Sequence, residues 1–237
     1  MNISVVIPTK NEAENLRTIV PKIQRALGED LLEIIAANSP SSDNTPEVVA
    51  ELARKFPKFT LLDCPPGWGV SLRMGYAQAK GDWILSMDCD FLEDENDLKR
   101  MVAKAKEGYD MVIGSRYLVD SPMPGYPLSK KVVNRIYHLF IRYMLRIKIK
   151  DLTNNFKLFT ADIAKNIPLQ ETHFAASAET GLYPALQGYK IVEVPVKWKQ
   201  REHGIASFNI RKMAMSYARV FGRALAIRYG FKKIKKI

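Results

Sequence analysis

The sequence predicts an α/β fold, with a mostly parallel sheet flanked by helices and a C-terminal amphipathic helix. Two observations carry this. Short apolar runs of strand length, among them Ser4–Ile7, Leu31–Ala37 and Trp83–Met87, alternate with segments whose apolar residues recur at helical spacing, and such alternation indicates a parallel sheet. In addition, 237 residues with 47% apolar and 26% charged content are enough to bury a sizeable core.

Ser4–Ile7, closed by Pro8, reads as a buried first strand. Thr9–Arg17 reads as a turn into a helix, capped by Thr9 or Asn11, with Glu12 and Glu14 favoured by the helix dipole. Leu31–Ala37 is the second strand, followed by a loop over 38–45 and a helix over Glu47–Lys55 with Pro46 at its first position. Phe59–Leu62 is a third strand. The turn-rich Pro65-Pro66-Gly67-Trp68-Gly69 then leads to a helix through Gly75–Ala79.

A fourth strand over Trp83–Met87 precedes a helix over Asp94–Glu107, whose Asp94, Glu95 and Asp97 suit capping and the dipole. Asp110–Gly114 is a strand, and Ser121–Pro127 is the segment expected to be most mobile. Ser129–Lys150 reads as one basic amphipathic helix. Phe156–Phe159 and Ile191–Trp198 read as strands, with a helix around Glu179–Leu186 between them. Ser207–Tyr229 is again basic and amphipathic, and Lys232, Lys233, Lys235 and Lys236 follow it. The simplest division is a catalytic domain over 1–208 and a helical tail over 209–237.

Lys and Arg number 36 against 25 Asp and Glu, a formal charge of +11. That balance implies an anionic partner. Nucleic acid is set aside because no helix-turn-helix, RNP or zinc motif accompanies the cations. Cys64 and Cys89 have neither the number nor the spacing of a disulfide framework or zinc site, which fits a reducing cytosol. The sequence opens on a strand rather than a signal peptide. It has no uncharged apolar run near the ~20 residues that span a bilayer. The expectation is a cytoplasmic protein, peripheral on the cytoplasmic face of a membrane.

The chemistry centres on Gly81–Asp90. Its apolar run ends in Asp88 and Asp90, one residue apart. Side chains at i and i+2 of an extended chain point the same way, and open α/β sheets bind ligands beyond the carboxyl ends of their strands. Two acids there suit a hard divalent cation, Mg²⁺ or Mn²⁺, which uses one or two carboxylates plus substrate phosphates. A pair of solvated turn acids is the plain alternative.

Several motifs in one order then carry a resemblance. Val5–Glu12 resembles the "IPxYNE" opening of inverting family 2 glycosyltransferases with a GT-A (Rossmann-like) fold. Gly81-Asp82 with Met87–Asp90 resembles their "GD…MDAD", and Ile113–Tyr117 matches "IGSRY". Asp151–Lys157 looks like "DxTSGFR", and Glu193–Val196 with Arg201–Gly204 looks like "EVPI…RxxG". This set is characteristic of the dolichol-phosphate (polyprenyl-phosphate) mannose synthase branch, and the similarity runs from about residue 3 to about 208. The resemblance implies that Pro8, Lys10 and Glu12 border the base of a GDP- or UDP-hexose. Asn38, Cys89, Arg201 and Ser207 join them around the donor. Asp88 and Asp90 hold the metal, and Arg116, with Lys130 and Lys131, meets the acceptor phosphate. The sequence departs from the family where Asp-Asp is usual, reading Ala36-Ala37-Asn38-Ser39-Pro40. It also lacks the lysines of "GKxGLG" and "GxSK", and Lys10 replaces an aromatic.

The activity implied is inverting, metal-dependent transfer of a hexose to a polyprenyl or dolichyl phosphate at a membrane surface, with room for a membrane-anchored partner subunit. A phosphate monoester has a second pKa of ~6 and needs no protein base. The three histidines, His138, His173 and His203, accordingly read as surface or packing residues. The alternatives are a family 2 glycosyltransferase with a glycan hydroxyl acceptor, for which Glu179 is the available base, or a catalytically weakened paralogue serving as a binding or scaffold subunit. Both basic amphipathic stretches suit a lipid interface; packing on the domain is an equal reading for Ser129–Lys150, and lipid the favoured one for the tail.

Overall fold

In a computed structural model describing residues 1–90, 92, 94–199 and 210–231, the sheet is built outward from β1 (Ile3–Thr9). All of β1 is buried, as suits a strand with parallel neighbours on both sides and helices on both faces. Strands β2 (Leu31–Asn38) and β4 (Trp83–Ser86) pair with it in parallel, and β3 (Phe59–Asp63) extends the sheet from β2. Beyond β4 one strand reverses. β6 (Lys157–Thr160) runs antiparallel to both β4 and β5 (Met111–Ser115), and β7 (Ile191–Pro195) lies parallel to β5. Among the described residues the order is β3-β2-β1-β4-β6-β5-β7.

Alternation along the strands divides the core between the two faces. Val5, Ile7 and Ile34 pack with α1 (Ala13–Leu27), α2 (Thr45–Lys55) and α4 (Glu95–Lys106). Val6 and Ile35 point the other way. They pack with α3 (Trp68–Gln78), α6 (Ala161–Asn166), α7 (Ala176–Gln187) and α8 (Ile210–Arg228).

The structure differs from the sequence expectations at several places; among them, β7 ends at Pro195 and α3 already begins at Trp68. The helix expected over Ser129–Lys150 stops early: α5 (Leu128–Phe140) passes into a wider π turn over Ile141–Leu145, and Arg146 then takes a left-handed φ of 58°. That conformation costs ~1–2 kcal/mol. The turn drops Ile141 and Leu145 into the core, and ~1.5–3 kcal/mol for each buried side chain outweighs the cost. The short helix α6 was not expected. Asp94 caps α4 by accepting from the Asn96 N–H at 2.9 Å, as expected, but Asp97 is buried and takes the Lys197 N–H at 2.8 Å. It anchors the chain after β7 rather than facing solvent. The Ser121–Pro127 loop is likewise tied down: Ser121 Oγ donates to the Ser115 carbonyl at 2.7 Å, and Tyr126 packs edge-on against Trp198 at 4.8 Å.

Candidate active site

The carboxyl ends of β1, β2 and β4 open into one cleft of about 280 Å³. β1 delivers Pro8 and Thr9 to it, followed by Lys10 and Glu12; β2 delivers Ser39; β4 delivers Asp88 and Cys89. The sharp turn into α1 uses Asn11 at φ 55°, a conformation Asn tolerates better than most residues. The Asn11 carboxamide accepts from the Ser42 N–H at 2.7 Å, which ties the β1 and β2 loops together. The far wall is formed by Trp68 with His173 and Phe174. Gly67, at φ 137°, turns the chain into α3, and the Gly69 N–H donates to the Thr172 carbonyl at 2.9 Å. That bond sets Trp68 beside Phe174, with ring centroids 5.4 Å apart.

Asp88 lies in the cleft, where its Oδ1 accepts from Trp68 Nε1 at 3.3 Å and from Asn155 Nδ2 at 3.0 Å. Asp90 follows in a turn, half-buried and outside the cleft lining. The Cys89 thiol is buried, 3.9 Å from Thr9 Oγ1, and burial pushes its pKa well above the usual thiol value. The Glu12 carboxylate accepts from Asn15. Ala36 and Ala37 are interior residues of β2, paired with Ile7 and Pro8. β2 ends at Asn38, and Ser39 follows it. Of these, Ser39 lines the cleft, whereas Asn38 is buried and accepts from Ser41 Oγ at 2.9 Å. Arg201 and Ser207 lie outside the described residues. Among the described residues no group of three or more His, Cys, Asp or Glu side chains is placed to hold a metal ion.

The charges carried by β5, β6 and α7 face inward. Arg116 forks onto Asp151, with Nε to Oδ2 and Nη2 to Oδ1 both at 2.8 Å, and its own N–H donates to Oδ2 at 3.0 Å. Burial pushes the Asp151 carboxyl up, but the Arg116 charge outweighs it and holds the acid below its usual range. Lys157 is fully buried, its ammonium donating to the Ser177 carbonyl at 2.6 Å and to Thr180 Oγ1 at 2.7 Å; burial pulls its pKa down to about 7. His138 is neutral by construction: Nε2 accepts from the Leu152 N–H at 2.9 Å, so Nδ1 donates to the Asn134 carbonyl, and burial lowers its pKa to about 4. Glu179 is buried and accepts from the Gln170 and Glu171 N–H groups and from Arg223 on α8. A carboxylate so occupied holds a loop and is not placed as a base.

The family model for Glycosyl transferase family 2 matches residues 4–167. The chain belongs to that family. This family 2 glycosyltransferase is 30% identical over 210 residues to a dolichol-phosphate mannosyltransferase of Pyrococcus furiosus, covering 86% of the chain and 58% of that protein. It is 25% identical over 231 residues to a polyprenol monophosphomannose synthase of Mycolicibacterium smegmatis, covering 90% of the chain and 84% of that protein. It also matches glycosyltransferase AglD of Haloferax volcanii at 27% identity, covering 85% of the chain and 34% of AglD. The chain thus spans a third to just over half of the first and third of these. The chain superimposes with a TM-score of 0.72, at 16% identity, on glucosyl-3-phosphoglycerate synthase from Mycobacterium tuberculosis in complex with Mn²⁺, UDP and phosphoglyceric acid, covering 97% of this chain and 78% of that one. This supports the GT-A-like fold.

The two basic amphipathic stretches of this glycosyltransferase differ. α8 packs onto the domain through Val220 and Ala224, and Arg223 pairs with Glu171 and Glu179, so its apolar face is largely covered, against the expectation for the tail. α5 meets α8 along an aromatic seam, Tyr137 against Tyr217 and Phe221 and Phe140 against Phe221. On its outer side Leu128, Val132, Val133, Ile136 and Leu139 are 48–73% exposed. Among the described residues no helix is long and apolar enough to cross a membrane.

Proposed function

We propose that the protein transfers a hexose from a GDP- or UDP-sugar to a polyprenyl phosphate, with inversion and with a divalent cation, on a membrane surface. The observation that carries this is Asp88, standing in an open cleft at the carboxyl ends of parallel strands in a chain related to polyprenyl-phosphate mannose synthases. The donor's nucleotide occupies the cleft beside Pro8, Lys10, Glu12 and Ser39. Asp88 and Asp90 suit a hard cation, since one or two carboxylates plus a diphosphate complete its oxygen shell; Mg²⁺ or Mn²⁺ there would neutralise charge on the departing diphosphate. The acceptor phosphate attacks the anomeric carbon from the side opposite the leaving group and needs no base.

Arg116 spends Nε and Nη2 on Asp151, so its phosphate contact falls to Nη1. Lys130 and Lys131, on the first turn of α5, supply further positive charge. α5 is coupled to this region by Arg135, which stacks on Tyr117 at 3.4 Å, and by Asn134, which donates to Thr153 Oγ1 at 2.8 Å. Its exposed apolar face with flanking cations suits the headgroup boundary of an anionic bilayer. Residues 1–208 then act as the catalytic unit, and 209–237 as an extension whose helix α8 packs on the domain.

The test is transfer of radiolabelled hexose from GDP-mannose or UDP-glucose into polyprenyl phosphate, with and without Mn²⁺. Metal-dependent label in the lipid phase is expected. Label in no lipid product with either donor, or transfer unaffected by chelation, would overturn the proposal.

A further inference from the structure

Asp88 is held by a chain of hydrogen bonds that starts deep in the core. Tyr76, 1% exposed, donates its hydroxyl to Ser86 Oγ at 2.7 Å. Ser86 Oγ donates in turn to Asn155 Oδ1 at 2.7 Å. That fixes which end of the Asn155 carboxamide is oxygen, and its Nδ2 then donates to Asp88 Oδ1 at 3.0 Å. Every donor along the path points toward the cleft. The four residues come from α3, β4 and the two loops beyond β4 and before β6, so the path crosses the sheet where its direction reverses. Trp68 Nε1 reaches the same oxygen from the cleft side at 3.3 Å.

We infer that Asn155 is a positioning residue that sets the orientation of the Asp88 carboxylate for a divalent cation bound with the donor's diphosphate. This rests on the metal-dependent reading proposed above and adds a residue to it. Two donors on one oxygen, one rooted in the core and one in the cleft wall, fix the rotation of the carboxylate before any ligand arrives. Both are neutral, so they orient the acid without cancelling its charge. Hydrogen bonds from outer groups to metal-ligating carboxylates tune affinity, and their loss typically costs 10–100-fold. In the "DxTSGFR" pattern that Asp151–Lys157 resembles, Asn155 stands at the glycine, a residue with no side chain to reach Asp88.

The experiment titrates Mn²⁺ into the full chain at saturating GDP or UDP, following free Mn²⁺ by electron paramagnetic resonance, with the thermal midpoint recorded for each variant. Asn155→Ala is expected to bind Mn²⁺ 10–100-fold more weakly while melting cooperatively. Ser86→Ala, which leaves Asn155 in place but removes the group that orients it, is expected to weaken binding several-fold and decides the matter alone should Asn155→Ala not fold. Mn²⁺ bound as tightly by a folded Asn155→Ala or by Ser86→Ala as by the parent overturns the inference. Absence of nucleotide-dependent Mn²⁺ binding in the parent chain, or parental affinity in Asp90→Ala, sinks the metal-dependent reading instead.

Discussion

The two halves of the sheet use their charged residues in opposite ways. At the ends of β1, β2 and β4, Lys10, Glu12 and Asp88 border an open cleft. Around β5 and β6 the charges turn inward, with Arg116 forked onto Asp151, Lys157 sealed against Ser177 and Thr180, and Glu179 clamped by Arg223. The difference separates chemistry from construction. A charge left at the mouth of a parallel sheet can meet a ligand, whereas a charge buried with its partner is committed to holding loops in register and is expensive to disturb.

The largest effect should come from the open side. Asp88→Ala is expected to lower the rate of transfer by about 100-fold or more, as loss of an electrostatic stabiliser does, with little change in thermal midpoint. A rate close to the parent's would put the chemistry elsewhere. On the inward side the order of effects reverses. Asp151→Ala leaves Arg116 buried and unpaired and should destabilise the protein by about 3–5 kcal/mol, read by denaturant unfolding. Arg116→Ala distinguishes the two roles of that residue. A comparable loss of stability marks it as construction, and a stable but inactive protein marks it as a phosphate contact alone.

Lys157 gives a sharper reading because its contribution depends on pH. Its folded pKa, about 7, lies below the unfolded value, so between pH 7 and about 10.5 the unfolded chain binds more protons and stability rises with pH. Relative to Lys157→Met, the parent should gain about 2 kcal/mol between pH 7 and pH 9; equal slopes would show that the ammonium is solvated. His138 has the same sense in a lower pH window. Its folded pKa of about 4 is below the unfolded ~6.5, so its share of stability is present above pH 6.5 and is lost as pH falls towards 4. The smallest change in stability, within ~0.5 kcal/mol, should come from Ile136→Asp on the outer face of α5, which should nevertheless abolish co-sedimentation with anionic liposomes. Retained co-sedimentation would move the membrane contact off α5.

How much of this was legible in the sequence follows the same divide. The open half was read well because its signals are local. The alternation of β1, β2 and β4 is visible in windows of a few residues, and Asp88 is marked by its place at a strand's end. Even there the last residue of β2 is not marked: the apolar run stops at Ala37, and only the pairing of Asn38 with Thr9 carries the strand one residue further. The far wall was missed altogether. Trp68 and Phe174 meet through the Gly69–Thr172 bond, and no local pattern joins segments so far apart. A tryptophan inside a Pro- and Gly-rich turn was the one hint. The inward half is harder to read for a similar reason. Arg116, Lys157, His138 and Glu179 carry the residue types of catalysis, and their burial partners come from distant strands and helices. The apolar stripe of α8 looks much like that of α5, and only packing separates the covered face from the exposed one.

The most direct test of this division is the manganese anomalous signal from crystals grown with a GDP- or UDP-sugar. The account predicts one peak between Asp88 and Asp90, against the donor's diphosphate, with the Arg116–Asp151 fork unchanged. No peak at that place, or a donor bound only after Arg116 leaves Asp151, would contradict it.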